Sequence, residues 1–121
     1  MCALCLSACD KAERQNPYEH LPEPELERLA SEKYQIIIQT AQAQPCTDAG
    51  QWELMDMRTV CGLWHLPYHE STDVQALRAL VLDYEAVIAI YAPLVAPTIN
   101  CMRYQKPSGI ACNQGKPTLT Y

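Results

Sequence analysis

The stretch TDVQALRALVLDYEAVIAIY, residues 72–91, decides the fold class. Within it Val74, Leu77, Val81, Tyr84, Ile88 and Tyr91 recur at spacings of three and four, and Leu80 and Val87 broaden the same side. That period places apolar side chains on one face of an α-helix. Thr72 followed by Gln75 fits a capping box at the start, and Pro93 and Pro97 are expected to end the helix. The spacing predicts a helix over residues 73–91. A helix with one apolar face must bury it, so the chain is expected to supply a second.

Upstream, Pro22 and Pro24 suit a first helical turn, where a missing N–H is not missed. Glu23, Glu25 and Glu27 suit the positive end of the helix dipole. Leu26, Ala30, Tyr34, Ile37 and Ala41 then form an apolar stripe that Leu29 and Ile36 widen. This reads as a helix over residues 23–43, closed by Pro45.

Between the helices the pattern is irregular. Asp48-Ala49-Gly50 reads as a turn, and residues 52–57 as a short strand or one helical turn, with Cys61-Gly62 and Pro67 breaking any continuation. Beyond α-helical territory, residues 98–104 read as a strand and 106–109 as a turn. Ile110-Ala111-Cys112 then returns, Gln114-Gly115 forms another turn, and residues 118–121 add a third short strand. The expected class is α+β: two antiparallel amphipathic helices, a disulfide loop between them, and a small C-terminal β-hairpin. No internal repeat or low-complexity stretch is present.

Seven cysteines in 121 residues is a high count for a reduced cytosolic protein. Leu6-Ser7-Ala8-Cys9 has the form of a bacterial lipobox, an aliphatic residue and two small ones before a Cys that takes a diacylglycerol. On that reading residues 1–8 are the remnant of a signal peptide, Cys9 carries the lipid, 9–21 is a flexible tether and 22–121 is one globular domain. The basic and long apolar regions of a full export signal do not precede the box here. Asp10 resembles an inner-membrane retention signal. The rival reading of Cys2, Cys5 and Cys9 as an iron–sulfur or zinc site has no fourth ligand nearby. Once Cys9 is assigned to lipid, Cys46, Cys61, Cys101 and Cys112 remain, an even set with three possible pairings. The sequence-adjacent one, Cys46–Cys61 with Cys101–Cys112, is expected.

Cys46-x5-Trp52-x8-Cys61-Gly62, then Tyr68, Cys101 and Cys112-Asn113-Gln114-Gly115-Lys116-Pro117, together resemble a pattern of small bacterial exported proteins of no known activity. The resemblance covers residues 44–121. It departs from the pattern at Met57-Arg58-Thr59-Val60, where a Gly is usual. It implies export and paired cysteines, and nothing about mechanism.

Function is read mostly by exclusion. A formal net charge of −5 disfavours nucleic acid and favours a basic protein partner. No consecutive apolar run approaches the roughly 20 residues of a spanning helix, so the body is expected to be soluble. No nucleophile elbow, phosphate-binding loop or Cys-x-x-Cys stands in the mature body, so no catalytic residue and no cofactor is assigned. His65 and His69, with Glu70, form the one conceivable metal set, but Pro67 between them argues against the helix that would bring them together. The expectation is a lipid-anchored interaction protein of the bacterial cell envelope, facing the periplasm or the exterior. It would be an inhibitor, an immunity-type protein or an assembly factor, with a small metal-binding or hydrolytic domain as the alternative.

Overall fold

The computed structural model describes residues 16–121. The chain runs α1 (Glu23–Ala41), β1 (Trp52–Thr59), β2 (Gly62–His69), α2 (Val74–Val95), β3 (Gly109–Asn113) and β4 (Lys116–Thr120). Single 3-10 turns occupy Ala49–Gln51 and Ala96–Thr98. The lipobox, Cys9 and the other N-terminal cysteines lie outside the described residues. The fold is mixed helix and strand, with two helices, two antiparallel hairpins and two disulfides.

Helix α1 starts at an N-cap Pro22 with Leu21 before it and Leu26 inside, both packed in the core. This pair has the spacing of a hydrophobic staple. The helix ends at Ala41, two residues before the expected boundary, where the Gln42 N–H still reaches the Ile38 carbonyl at 2.9 Å. At the start of α2 the cap is Asp73 rather than Thr72: its carboxylate accepts from the Ala76 N–H at 3.1 Å. The helix also runs through Pro93 to Val95, four residues past the expected end. Proline there forfeits one bond, to the carbonyl of Ala89, an exposed residue where water can replace it.

Lys33 on α1 pairs with Asp83 on α2, while Glu23 and Glu27 act electrostatically on Tyr91, so the helices run antiparallel. Leu26, Ile37, Leu77, Val81 and Val87 are fully buried between them and the first hairpin. Burying each such aliphatic side chain contributes about 1.5–3 kcal/mol. Val74, Tyr34 and Ile36, expected on the apolar stripes, are instead substantially exposed. With its continuation, the segment Val74–Thr98 is long and apolar enough, by length and composition, to cross a membrane, although it contains no unbroken apolar run of that length.

The irregular middle of the sequence is a regular β-hairpin. Strands β1 and β2 pair over their whole length, from Trp52 opposite His69 to Thr59 opposite Gly62. Val60 and Cys61 make the turn, and Gly62 follows at φ +96°, a conformation open to glycine. Alternation along the strands gives the hairpin two working faces. Met55, Met57, Leu66 and Tyr68 face the helices and are buried. Trp52, Asp56, Leu63 and His65 belong to the opposite face. Pro67 sits opposite Leu54 within the ladder. Each strand of a two-stranded ribbon keeps one unpaired edge, which accommodates a residue with no N–H.

The C-terminal hairpin is offset from expectation by one strand. Residues 99–108 have no regular structure, and β3 and β4 pair around Gln114-Gly115. Both turn residues have positive φ, 53° and 77°, as a two-residue type I′ turn demands.

The disulfides are Cys46–Cys112 and Cys61–Cys101, not the sequence-adjacent pairs. The hairpin explains the correction. Cys46 precedes its open end and Cys61 sits at its turn, so eight residues of strand, roughly 25 Å, intervene. A disulfide needs Cα atoms within about 7 Å. Cys46 lies beside the second turn instead, its N–H donating to the Gly115 carbonyl at 2.8 Å. Residues 16–21, expected as the end of the tether, are docked: Asn16 Nδ2 donates to the Ala86 carbonyl (2.8 Å) and the Tyr18 hydroxyl to Asp83 (2.6 Å).

Candidate functional site

The outer face of the β1–β2 hairpin carries a concavity of about 400 Å³. Its floor is Leu63 and His65 from β2, one wall is residues 100–105, and Leu119 and Tyr121 close the far side. The wall has no regular secondary structure, yet it is held at three places. Cys101 is bonded to Cys61 at the hairpin turn. Tyr104 is tied to His65, their rings 5.9 Å apart. Ser108 then donates its N–H to the Thr120 carbonyl at 2.7 Å, where the second hairpin begins.

The Tyr104 tie is part of a chain of three polar groups. Asp56 stands opposite His65 in the strand register. Its Oδ1 lies 2.9 Å from His65 Nδ1, and His65 Nε2 lies 2.8 Å from the Tyr104 hydroxyl. A carboxylate only accepts, so Nδ1 carries a proton toward Asp56. In the neutral ring Nε2 then accepts from the phenol; protonated, it donates to it. Either way one imidazole fixes both the strand partner and the loop. Asp56 is well exposed while the His65 side chain is largely covered. Chemically the array can orient a phenol and exchange a proton with it.

The loop presents what it holds. Met102 is 93% exposed, and Tyr104 and Tyr121 are 52% and 65% exposed, beside the half-exposed Leu63 and Ile99. Arg103 and Lys106 add two cations to the same segment. Exposed large apolar side chains gathered around one concavity mark an interaction surface more than a monomer's ordinary exterior.

His65 and His69 do not converge. They occupy one strand four residues apart, about 13 Å along it. His69 Nδ1 faces the Ser71 hydroxyl at 2.7 Å, and its ring meets the Trp52 indole edge-on at 5.3 Å. Glu70 gives its N–H to the Gln51 carbonyl. Among the described residues no group of three or more His, Cys, Asp or Glu is disposed to hold a metal ion.

Sequence reasoning gave Asp56, Met102 and Tyr104 no functional role. Asp56 and His65 are nine apart, the separation of partners flanking a two-residue turn three residues away, and an Arg-Thr-Val-Cys-Gly turn was the available signal. Nothing local points to Tyr104, which lies 39 residues from His65. No family model, no curated protein and no solved structure matches the chain.

Proposed function

We propose that this is an exported, lipid-anchored interaction protein of the bacterial cell envelope, and that it engages a protein partner through the stapled segment 99–106. The two disulfides support an oxidising, extracytoplasmic compartment. The lipobox at Cys9 supports the anchor.

The observation that carries the partner reading is Met102, almost fully exposed at the centre of a loop that a disulfide and a His–Tyr hydrogen bond hold still. A pinned loop loses little conformational entropy when it docks, so exposed aromatic and thioether groups on it convert efficiently to affinity. Four of the fourteen acidic residues lie on α1 and none in segment 99–106, which carries Arg103 and Lys106. Contact here therefore rests on Met102, Tyr104 and Tyr121 more than on charge.

A benzophenone amino acid at position 102, in the native host, tests the reading. One discrete adduct that disappears when Cys61→Ser and Cys101→Ser release the loop is the expected result. No adduct at 102, with adducts elsewhere on the domain, rejects this surface. Intact mass tests the anchor separately: a lipid-modified Cys9 at the N-terminus supports it, and an unmodified chain retaining residues 1–8 refutes it.

A further inference from the structure

Helix α2 is more apolar than its packing requires. The segment Val74–Thr98 has the composition of a spanning helix, yet only 28% of its apolar 18-residue stretch is buried inside the domain. Leu77, Val81, Tyr84, Val87 and Ile88 account for the inward side. At 100° per residue, Ala79, Leu82, Ala89 and Pro93 fall on the opposite side. All four are exposed, Leu82 at 57%. Arg78 and the half-buried Glu85, which accepts the Arg58 N–H, border this strip on one side, and Asp83, held by Lys33 and Tyr18, borders it on the other. A core helix of a water-facing domain ordinarily turns a charged side outward.

What covers the strip follows from where the chain leaves the domain. Asn16 is bonded to the Ala86 carbonyl, between Leu82 and Ala89, and Tyr18 is bonded to Asp83 on the same flank. From Asn16 back to Cys9 is seven residues, at most roughly 25 Å of extended chain. A lipid at Cys9 therefore holds the bilayer within reach of this helix side.

We propose that the outward strip of α2 lies in the membrane interface, with Leu82, Ala89 and Pro93 against lipid and the loop at 99–106 left for the partner. The proposal rests on the lipid-anchor reading above. It makes the anchor orienting as well as tethering: the diacylglycerol on Cys9 holds the domain at the bilayer, and the apolar strip sets which side of the domain faces it.

The test uses protein beginning at Cys9, its body cysteines oxidised, coupled through the Cys9 thiol to a maleimide lipid. It is placed in vesicles of phosphatidylethanolamine and phosphatidylglycerol. A benzophenone amino acid is installed at Leu82, at Ala89 or, as control, at the exposed Glu32 of α1. Lipid adducts at 82 and 89, about tenfold above those at 32, are expected, as is a similar loss of the 89 adduct in Leu82→Glu. Equal adducts at 82 and 32, or none at 82, overturn the proposal. A protein–protein adduct from 82 also overturns it and assigns the strip to a second copy. All positions are exposed, and an unchanged melting temperature verifies folding. Because the lipid is attached chemically, failure here is distinct from failure to find lipid on Cys9 in the host.

Discussion

At the scale of single residues, Asp83 has the largest consequence. Burial pushes its carboxyl up, but the Lys33 ammonium and the Tyr18 hydroxyl more than offset this and hold it below the usual carboxylate range. The same contacts push Lys33 and Tyr18 up. A depressed carboxylate contributes stability above its unfolded pKa and loses it as pH falls through the folded value. A raised lysine contributes below its unfolded pKa and loses it as pH rises through the folded one. Asp83→Asn is therefore expected to cost about 1 kcal/mol across neutral pH, a figure kept low because Asp83 is 45% exposed. The gap from wild type should close below about pH 4 and again above about pH 10.5. Urea melts at pH 3, 7 and 11 measure it, and a gap that ignores pH argues against the ion pair. The second residue-scale case is the Gln114-Gly115 turn. Both positions have positive φ, so Gly115→Ala is expected to cost about 1 kcal/mol, while Gln114→Asn, a better left-handed residue, should stabilise by a few tenths. Thermal melts decide, and a neutral Gly115→Ala would contradict the turn type.

At the scale of elements, the loop at 99–108 behaves as a unit fastened to β2. Removing the Tyr104 hydroxyl deletes its hydrogen bond to His65 and leaves the Cys61–Cys101 bridge intact. Tyr104→Phe should thus change global stability by no more than about 1 kcal/mol. Amide exchange should nonetheless quicken at residues 102–107, with the strands unaffected. Unchanged exchange in that segment would mean the disulfide alone orders the loop. The β1–β2 hairpin is the element on which this depends, because it shows Met55, Met57 and Leu66 to the helices and Asp56 and His65 to the loop.

For the whole molecule, the two bridges are nested: Cys61–Cys101 spans 40 residues inside the 66 spanned by Cys46–Cys112. Considered alone, each removes about 4 kcal/mol of unfolded-state entropy in the chain-entropy model. That is more than the sequence-adjacent pairing would give, since loops of roughly 10–15 residues restrict the unfolded chain less. Against a total stability of about 5–15 kcal/mol, loss of both bridges is expected to unfold the domain at 37 °C, and loss of either to leave it folded but weakened by up to about 4 kcal/mol. Circular dichroism of the Cys→Ala pairs measures this. Non-reducing peptide mapping checks the pairing directly, and a peptide joining Cys46 to Cys61 would overturn the nested arrangement.

The sequence by itself determined the two helices to within a few residues, the turn at Gln114-Gly115 and the even set of body cysteines. Those features follow from local spacing, proline placement and parity, each read without knowledge of distant contacts. Only tertiary structure decided the rest. Residues 52–69 look irregular because both faces of the hairpin are used, Met55 and Met57 inward, Trp52 and His65 outward, which erases the one-sided alternation that announces a strand. The disulfide pairing could not be read from separation, because a hairpin carries Cys61 away from Cys46 and brings it to Cys101. The candidate site joins residues from β1, β2 and a loop 39 positions on. Its members share no local signal, and long-range contact alone makes them neighbours.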